Sequence, residues 1–410
     1  MRVVILGLNY LPESTSIGPY TADLAEFLLR QGHQVQVITG FPSAPQWRVW
    51  PGYRGRFWMR DHVEQVPVFR VWMYVPRNPR SVWRRVLFDS SFAFSAFLKL
   101  LFTRRADCYI AISPPLQLAV VAGWLGRWRR IPVLVQIKDL VPDAAAAVGA
   151  MNPQGRAYKI ASWLEKTSYR QAAKLGVICD GMRRNLLAKK IPPQKIELLP
   201  DYIDLRFMQP REDGFRQRAG IGQDQWLAMY SGSVAGKQGL ETWVQAGEIL
   251  DHDHEIACCL VGEGAYLPDL KNLANQRGLR RFRFLPLGER AALPGQLAAA
   301  DCLIITQRAA VRDMVFPGKL LYYMAAGRPI IASVHPDSET GRFIREHQVG
   351  IVTSAEDPLA LANAVRTLRA DPVMARQLGA KGRRVAETHF DREKVLLRFE
   401  QVILQMANAS

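Results

Sequence analysis

Cysteine is scarce in this 410-residue sequence. There are five, at positions 108, 179, 258, 259 and 302, with no CxxC pair and no zinc-ribbon spacing. That excludes a disulfide framework and a zinc module. Several of them sit inside apolar runs, as buried free thiols do, so a reducing cytosol is the expected home. No uninterrupted apolar run approaches the ~20 residues of a membrane-spanning helix. The opening MRVVILGLNYLPES has one Arg and an apolar run too short for a secretory leader, and reads as a first buried strand. Internal repeats, low-complexity tracts and any recognised nucleic-acid reader module are missing.

What is present is globular. Apolar residues make up 49% and charged residues 22%, and the length asks for roughly two domains of ~150–200 residues. Short apolar runs at 3–8, 34–39, 66–74, 108–112, 133–137 and 175–178 predict strands. A helical face of Leu24, Ala25, Phe27 and Leu28 lies between the first two and stops at Gly32-His33. The second half repeats the theme, with strands predicted at 227–230, 256–261, 282–285, 302–306, 329–332 and 350–352. Strands alternating with helices mean βαβ units and parallel sheets. The charge-, Pro- and Gly-rich segment 200–225 breaks the pattern and is the expected hinge. The expected domains are 1–200 and 201–385, with 386–410 as a closing helix that packs back toward the first.

Charge is uneven. The chain carries +17, and residues 46–130 hold 15 Lys or Arg against 4 Asp or Glu, a local net of +11. Such a region attracts anionic partners. Within it, 82–105 strings Phe88, Phe92, Phe94, Phe97, Leu98, Leu100, Leu101 and Phe102 between Arg84-Arg85 and Arg104-Arg105. Trp124 and Trp128, with Arg127, Arg129 and Arg130, add a second aromatic-basic patch. Either the segment lies in a membrane interface, or it is a helix buried on the sheet with arginines at its exposed ends.

Parallel sheets bind ligands beyond the carboxyl ends of their strands. The loop 9–18 ends in Gly18 at a helix start, either an anion site or a plain turn; it is not a GxGxxG fingerprint. YSGSVAGKQGLE, from Tyr230 to Glu241, puts Gly232, Ser233 and Lys237 where a diphosphate can rest on backbone amides, without the Walker ending. VGEGAYLPDL offers Gly262 and Gly264 in a strand-to-helix turn. DMVFPGKLLYYMAAGRPIIA places Lys319 in a first helical turn, unfavourable unless an anion is near. Asp139 follows the 133–137 strand, as an acid/base or substrate-binding carboxylate or as a helix cap. Asp251-His252-Asp253-His254-Glu255 lies at the opposite end from these loops and reads as a solvated turn in preference to a metal site.

Taken together these motifs resemble glycosyltransferase family 4, of GT-B fold, and within it the WcaI-type transferases of colanic acid and related exopolysaccharides. The resemblance runs over nearly the whole chain. It rests on Asn9 to Pro12 with Gly18, LAEFLLRQGHQVQVITGFP, Asp139 to Asp143, ICDGMRRNLL, IELLPDYIDLRFMQP, YSGSVAGKQGLE, VGEGAYLPDL, AAADCLIITQ and FPGKLLYYMAAGRPIIA. It implies α/β architecture with two Rossmann-like domains, and retaining hexosyl transfer from a nucleotide-diphosphate sugar without metal or other cofactor. The acceptor implied is a saccharide, lipid-linked in the present reading. It implies that Gly18, Gly232 and Lys237 lie along the donor diphosphate, Gly262 and Gly264 near the base, and Gly318 and Lys319 near the phosphates or sugar. Asp139 would orient the acceptor. Asp313 and Tyr322 fall where the family often has glutamates, Gln238 where it has Lys, and Lys138 where it has His. A cytoplasmic enzyme, peripheral on the inner membrane face and with no nucleic-acid partner, is expected. A GT-B epimerase and an inactive membrane partner are the competing readings.

Overall fold

The computed structural model describes residues 1–13, 17–77, 81–147, 151–310 and 317–408. The chain divides into two compact units, Met1–Pro200 with Leu396–Ser410, and Asp201–Val395. In the first, Glu400 of the closing helix Arg392–Asn408 lies 2.9 Å from His33.

The first unit is an eight-stranded sheet. In chain order its strands are β1 Arg2–Leu6, β2 Gln34–Gly40, β3 Trp58–Val63, β4 Val66–Val71, β5 Cys108–Ser113, β6 Val133–Ile137, β7 Lys174–Val177 and β8 Ile196–Leu198. They lie in the order β3-β4-β2-β1-β5-β6-β7-β8. All pairings are parallel except β3 with β4. Val3, Val4, Ile5 and Leu6 are fully buried, because helices cover both faces of a parallel sheet. That is why β1 reads as a continuous apolar run and not as an alternating one.

Sequence periodicity missed β3. Its exposed and half-buried residues alternate along WMRDHV, and the turn that pairs it with β4 is Glu64-Gln65, both at positive φ. Such a turn is usually announced by Asn-Gly or Asp-Gly. β8, only three residues long, was missed as well.

The second unit is a six-stranded sheet of β9 Trp226–Ser231, β10 Ile256–Val261, β11 Arg283–Leu285, β12 Cys302–Thr306, β13 Ile330–Ser333 and β14 Gly350–Thr353. Their order is β11-β10-β9-β12-β13-β14, all parallel. Leu227, Met229, Leu303 and Ile305 enter one core, and Ala228, Tyr230, Cys302 and Ile304 the other. Each strand therefore feeds two cores with successive residues, as doubly covered sheets require. All five cysteines are buried and unpaired. Burial pushes the Cys108 and Cys259 thiols up to about 12, so both are inert packing groups.

The segment forms one helix, Val82–Leu101. Phe88, Phe92, Ala93, Ala96 and Leu100 are buried on one face, while Trp83, Leu87, Phe94 and Leu98 are exposed on the other. The arginine patch beside Trp124 and Trp128 is only partly available. Arg129 donates to the Leu100, Leu101 and Thr103 carbonyls and so closes the end of that helix.

Candidate functional site

Strand order reverses between β9 and β12, the first adjacent pair on either side of the switch in the second sheet. Loops leaving neighbouring strands there run in opposite directions and leave a crevice at their carboxyl ends. A cavity of about 420 Å³ occupies that place. Ser231, Gly232 and Ser233 line it from the end of β9, and Thr306 and Gln307 from the end of β12. Gly318, Lys319, Tyr322 and Tyr323 of the helix Gly318–Ala325 close one side, and Leu287, Leu293 and Leu297 an apolar end.

The floor is rigid. Tyr323 donates to the Ser231 carbonyl at 2.9 Å and accepts the Ser231 N–H at 2.8 Å. Gln296 donates to the Ser231 hydroxyl at 2.8 Å. The loop after β9 passes over the turn that holds Gly262 and Gly264. A Cβ at Gly264, whose φ is 157°, would overlap the Val234 carbonyl, and one at Gly262 would overlap that of Gly232. These two glycines therefore let the loop lie flat; neither lines the cavity. The loop goes on through Gly236–Gln238, a short 3-10 turn containing the backbone of Lys237, where Gln238 accepts the Ala235 N–H at 2.9 Å. Arg308 donates to the Gly236 carbonyl at 2.7 Å and pairs with Glu241, so it pins the turn from outside.

Lys319 is the only charged side chain lining the cavity among the described residues. Its ammonium donates to the Tyr230 hydroxyl and lies 3.8 Å from the centre of that ring. The Tyr230 hydroxyl in turn donates to the Ser233 carbonyl at 2.6 Å. Burial raises the pKa of Tyr230 and, more strongly, of Tyr323, so both stay neutral donors. The ammonium therefore stands over the loop that follows β9. A cation in the first turn of a helix is disfavoured by the helix dipole, and an anion beside it would remove that penalty.

The structure thus gathers Gly232, Ser233, Gly318, Lys319 and Tyr322 around one space. Asp313 lies outside the described residues. Gly18 and Asp139 belong to the first unit. Gly18 is buried at the start of the helix Gly18–Arg30, where a Cβ would stand 2.8 Å from the Glu13 carbonyl oxygen. Asp139 is exposed between β6 and the helix Val141–Ala147. Their loops are neighbours, since the Lys138 ammonium lies 5.1 Å from the centre of the Tyr20 ring.

Two families of known proteins account for these two units. Residues 15–201 match the glycosyl transferase 4-like domain, and residues 212–385 match the glycosyl transferases group 1 domain. The chain is a family 4 glycosyltransferase. Over 408 residues the transferase is 29% identical to the putative colanic acid biosynthesis glycosyl transferase WcaI of Escherichia coli K12, covering 97% of this chain and 98% of that one. It is 26% identical over 267 residues to the probable glycosyltransferase WbjE of Pseudomonas aeruginosa, 64% and 66% of the two chains. Its fold is GT-B. Sucrose-phosphate synthase from Thermosynechococcus elongatus superimposes with a TM-score of 0.75 at 18% identity, over the full length of both chains. Anabaena HepE, crystallised with UDP and glucose, gives 0.70 at 15% identity over 99% of this chain and all of the other.

Sequence reasoning missed three polar groups of the transferase's cavity. Gln307 is 7% exposed, and its Oε1 is buried without a hydrogen-bond partner. The Thr306 hydroxyl is buried in the same condition, and Gln296 holds Ser231. Their signal was position alone: Thr306 and Gln307 end a central strand next to a topological switch. The cluster at Asp251 to Glu255 is a turn held by arginines, Arg366 on Asp253 at 2.8 Å and Arg369 on Glu255.

Proposed function

We propose that the transferase moves a hexosyl group from a nucleotide-diphosphate sugar to a saccharide acceptor, with retention of configuration, in exopolysaccharide or lipopolysaccharide assembly. The observation that carries this is Lys319, which lines the cavity beside Gly232 and Ser233 with its ammonium 3.8 Å from the centre of the Tyr230 ring. The leaving diphosphate gains negative charge in the transition state. A backbone loop, a helix start and an ammonium stabilise that charge where it develops. In this reading the apolar end at Leu287, Leu293 and Leu297 takes the base, and Lys319, Gly318, Gly232 and Ser233 take the phosphates. Lys237 supplies further positive charge from the turn, and no divalent cation is required. Tyr322 stands beside the donor where a glutamate is usual. Gln307 and Thr306 accept from donor hydroxyls. In the first unit, Asp139 orients the acceptor hydroxyl. The acceptor is lipid-linked, and the enzyme works in the cytoplasm at the inner membrane face. The UDP and glucose named with HepE, and the colanic acid named with WcaI, support this reading.

The test is a thermal-shift series with UDP, GDP, ADP and their sugars on the full chain. One nucleotide and its sugar raise the melting temperature in a concentration-dependent way. No shift with any of them ends the proposal.

A further inference from the structure

The helix Val82–Leu101 is apolar on two opposite faces. Trp83, Leu87, Phe94, Leu98 and the following Phe102 are spaced by four, seven, four and four residues, which puts them on one side. Nineteen residues at ~1.5 Å each make this stripe ~28 Å long. Trp83 is 79% and Phe102 84% exposed. An exposed apolar ridge of that length is not what a helix packed on a sheet needs. Neighbouring elements extend it: Trp124, 5.8 Å from Phe97 between ring centres, and Phe57 and Trp58 at the sheet edge are all exposed.

At the end of this helix the ridge meets a pocket of about 260 Å³, lined among others by Trp58, Arg60, Phe69, Arg70, Lys99 and Phe102. Arg60 and Phe69 are directly opposite on β3 and β4, so they share a face. Arg70, one position along, also borders the pocket, but its guanidinium is paired with Asp61 at 2.9 Å. The Arg60 guanidinium lies 5.1 Å and the Lys99 ammonium 3.7 Å from the centre of the same Phe69 ring. No carboxylate of the described residues pairs with either. Burial and the nearby Arg60 lower the pKa of Lys99. Arg129 already occupies the carbonyls at the end of the helix, so the two cations are not spent there. Two like charges held on one ring form half of an anion site.

We infer that this face docks on an anionic bilayer, with the Trp83–Phe102 stripe in the interface and one headgroup phosphate held by Arg60 and Lys99 between Trp58 and Phe102. A bilayer fits this surface better than a protein partner does. The surface is a ridge and not a groove, it mixes protruding Trp and Phe with arginines, and Arg84, Arg85, Arg104 and Arg105 are exposed at its two ends. The inference deepens the proposal of a membrane-facing enzyme, but its test needs neither nucleotide sugar nor acceptor, so either can fail alone.

Full-length protein is floated with phosphatidylcholine vesicles, with and without phosphatidylglycerol. Wild type floats only with the anionic vesicles. Arg60→Gln with Lys99→Gln lowers the partition coefficient roughly 30-fold, at about fivefold per cation. Lys271→Gln with Arg280→Gln, which removes the same charge from exposed sites of the second unit, leaves it unchanged. Trp83→Ser with Phe94→Ser abolishes flotation while the melting temperature holds. Equal losses in the two charge pairs would overturn the pocket, and full flotation of the Trp83/Phe94 variant would overturn the stripe. Titration with inorganic phosphate in place of vesicles separates the sources: saturable binding to Arg60 and Lys99 without lipid would replace the headgroup with a free anion and overturn the docking.

Discussion

The two units share an architecture and differ in what they show to solvent. The first holds 29 Lys or Arg against 13 Asp or Glu, a net of +16; the second holds 25 against 24, a net of +1. Among the described residues, every large aromatic side chain exposed on the molecule belongs to the first: Phe57, Trp58, Trp72, Trp83, Phe94, Phe102, Trp124, Trp128 and Trp163. The exposed large apolar side chains of the second, among the described residues, are the aliphatic Leu287, Leu359 and Val373. It also sets three buried polar side chains, Ser231, Thr306 and Gln307, around one cavity at the β9–β12 switch. In the proposed reading, one unit meets an extended anionic surface and the other encloses a small ligand.

Exchanging single side chains in the two units tests that division, and Lys319 carries the largest expected effect. Lys319→Ala lowers turnover by ~10²–10³ and weakens donor binding, with an unchanged melting temperature. Asp139→Asn in the first unit lowers turnover but leaves donor affinity, read by calorimetry, as in wild type. Equal donor affinity in all three proteins, or full turnover of both variants, would place the charge stabilisation elsewhere.

Asp89 comes next. Burial, opposed by Arg85, raises its pKa to about 6 from the ordinary 3.8. The folded state thus holds this proton more tightly than the unfolded one. Stability from this residue is greatest below about pH 4 and falls as the pH rises to about 6, by about 3 kcal/mol. Asp89→Asn flattens that slope in denaturant titrations; an unaltered slope would show that the carboxyl is ionised throughout.

Gln307 gives the smallest effect, with two signs. Its buried Oε1 lacks a partner, and an unsatisfied acceptor costs ~1–3 kcal/mol. Gln307→Leu stabilises the unliganded protein by about 1 kcal/mol and weakens donor binding by about tenfold. If both quantities moved in the same direction, Gln307 would have only a structural role.

Much of this was legible in the residues. Runs such as Val3 to Leu6 and Ile256 to Val261 can be buried on both faces only in a covered parallel sheet. The hairpin of β3 was not legible, because Glu64-Gln65 makes its turn without the expected Asn or Gly. Gln307 was not legible either, since one amide after one strand differs from any other only by what surrounds it. Gly262 and Gly264 were read as ligand neighbours, and they support the loop that lines the cavity.

The order of apolar runs and turn residues, by itself, determined the α/β class, the likeness between the two halves and the lysine poised at a helix start, because periodicity and backbone freedom are local properties. Strand order decided the rest. It set β9 beside β12 and opened the cavity between their loops. It also turned one face of Val82–Leu101 outward and brought Arg60 and Lys99, 39 positions apart in the chain, onto one aromatic ring. Such neighbours are fixed by packing over long sequence separations, which no local pattern encodes.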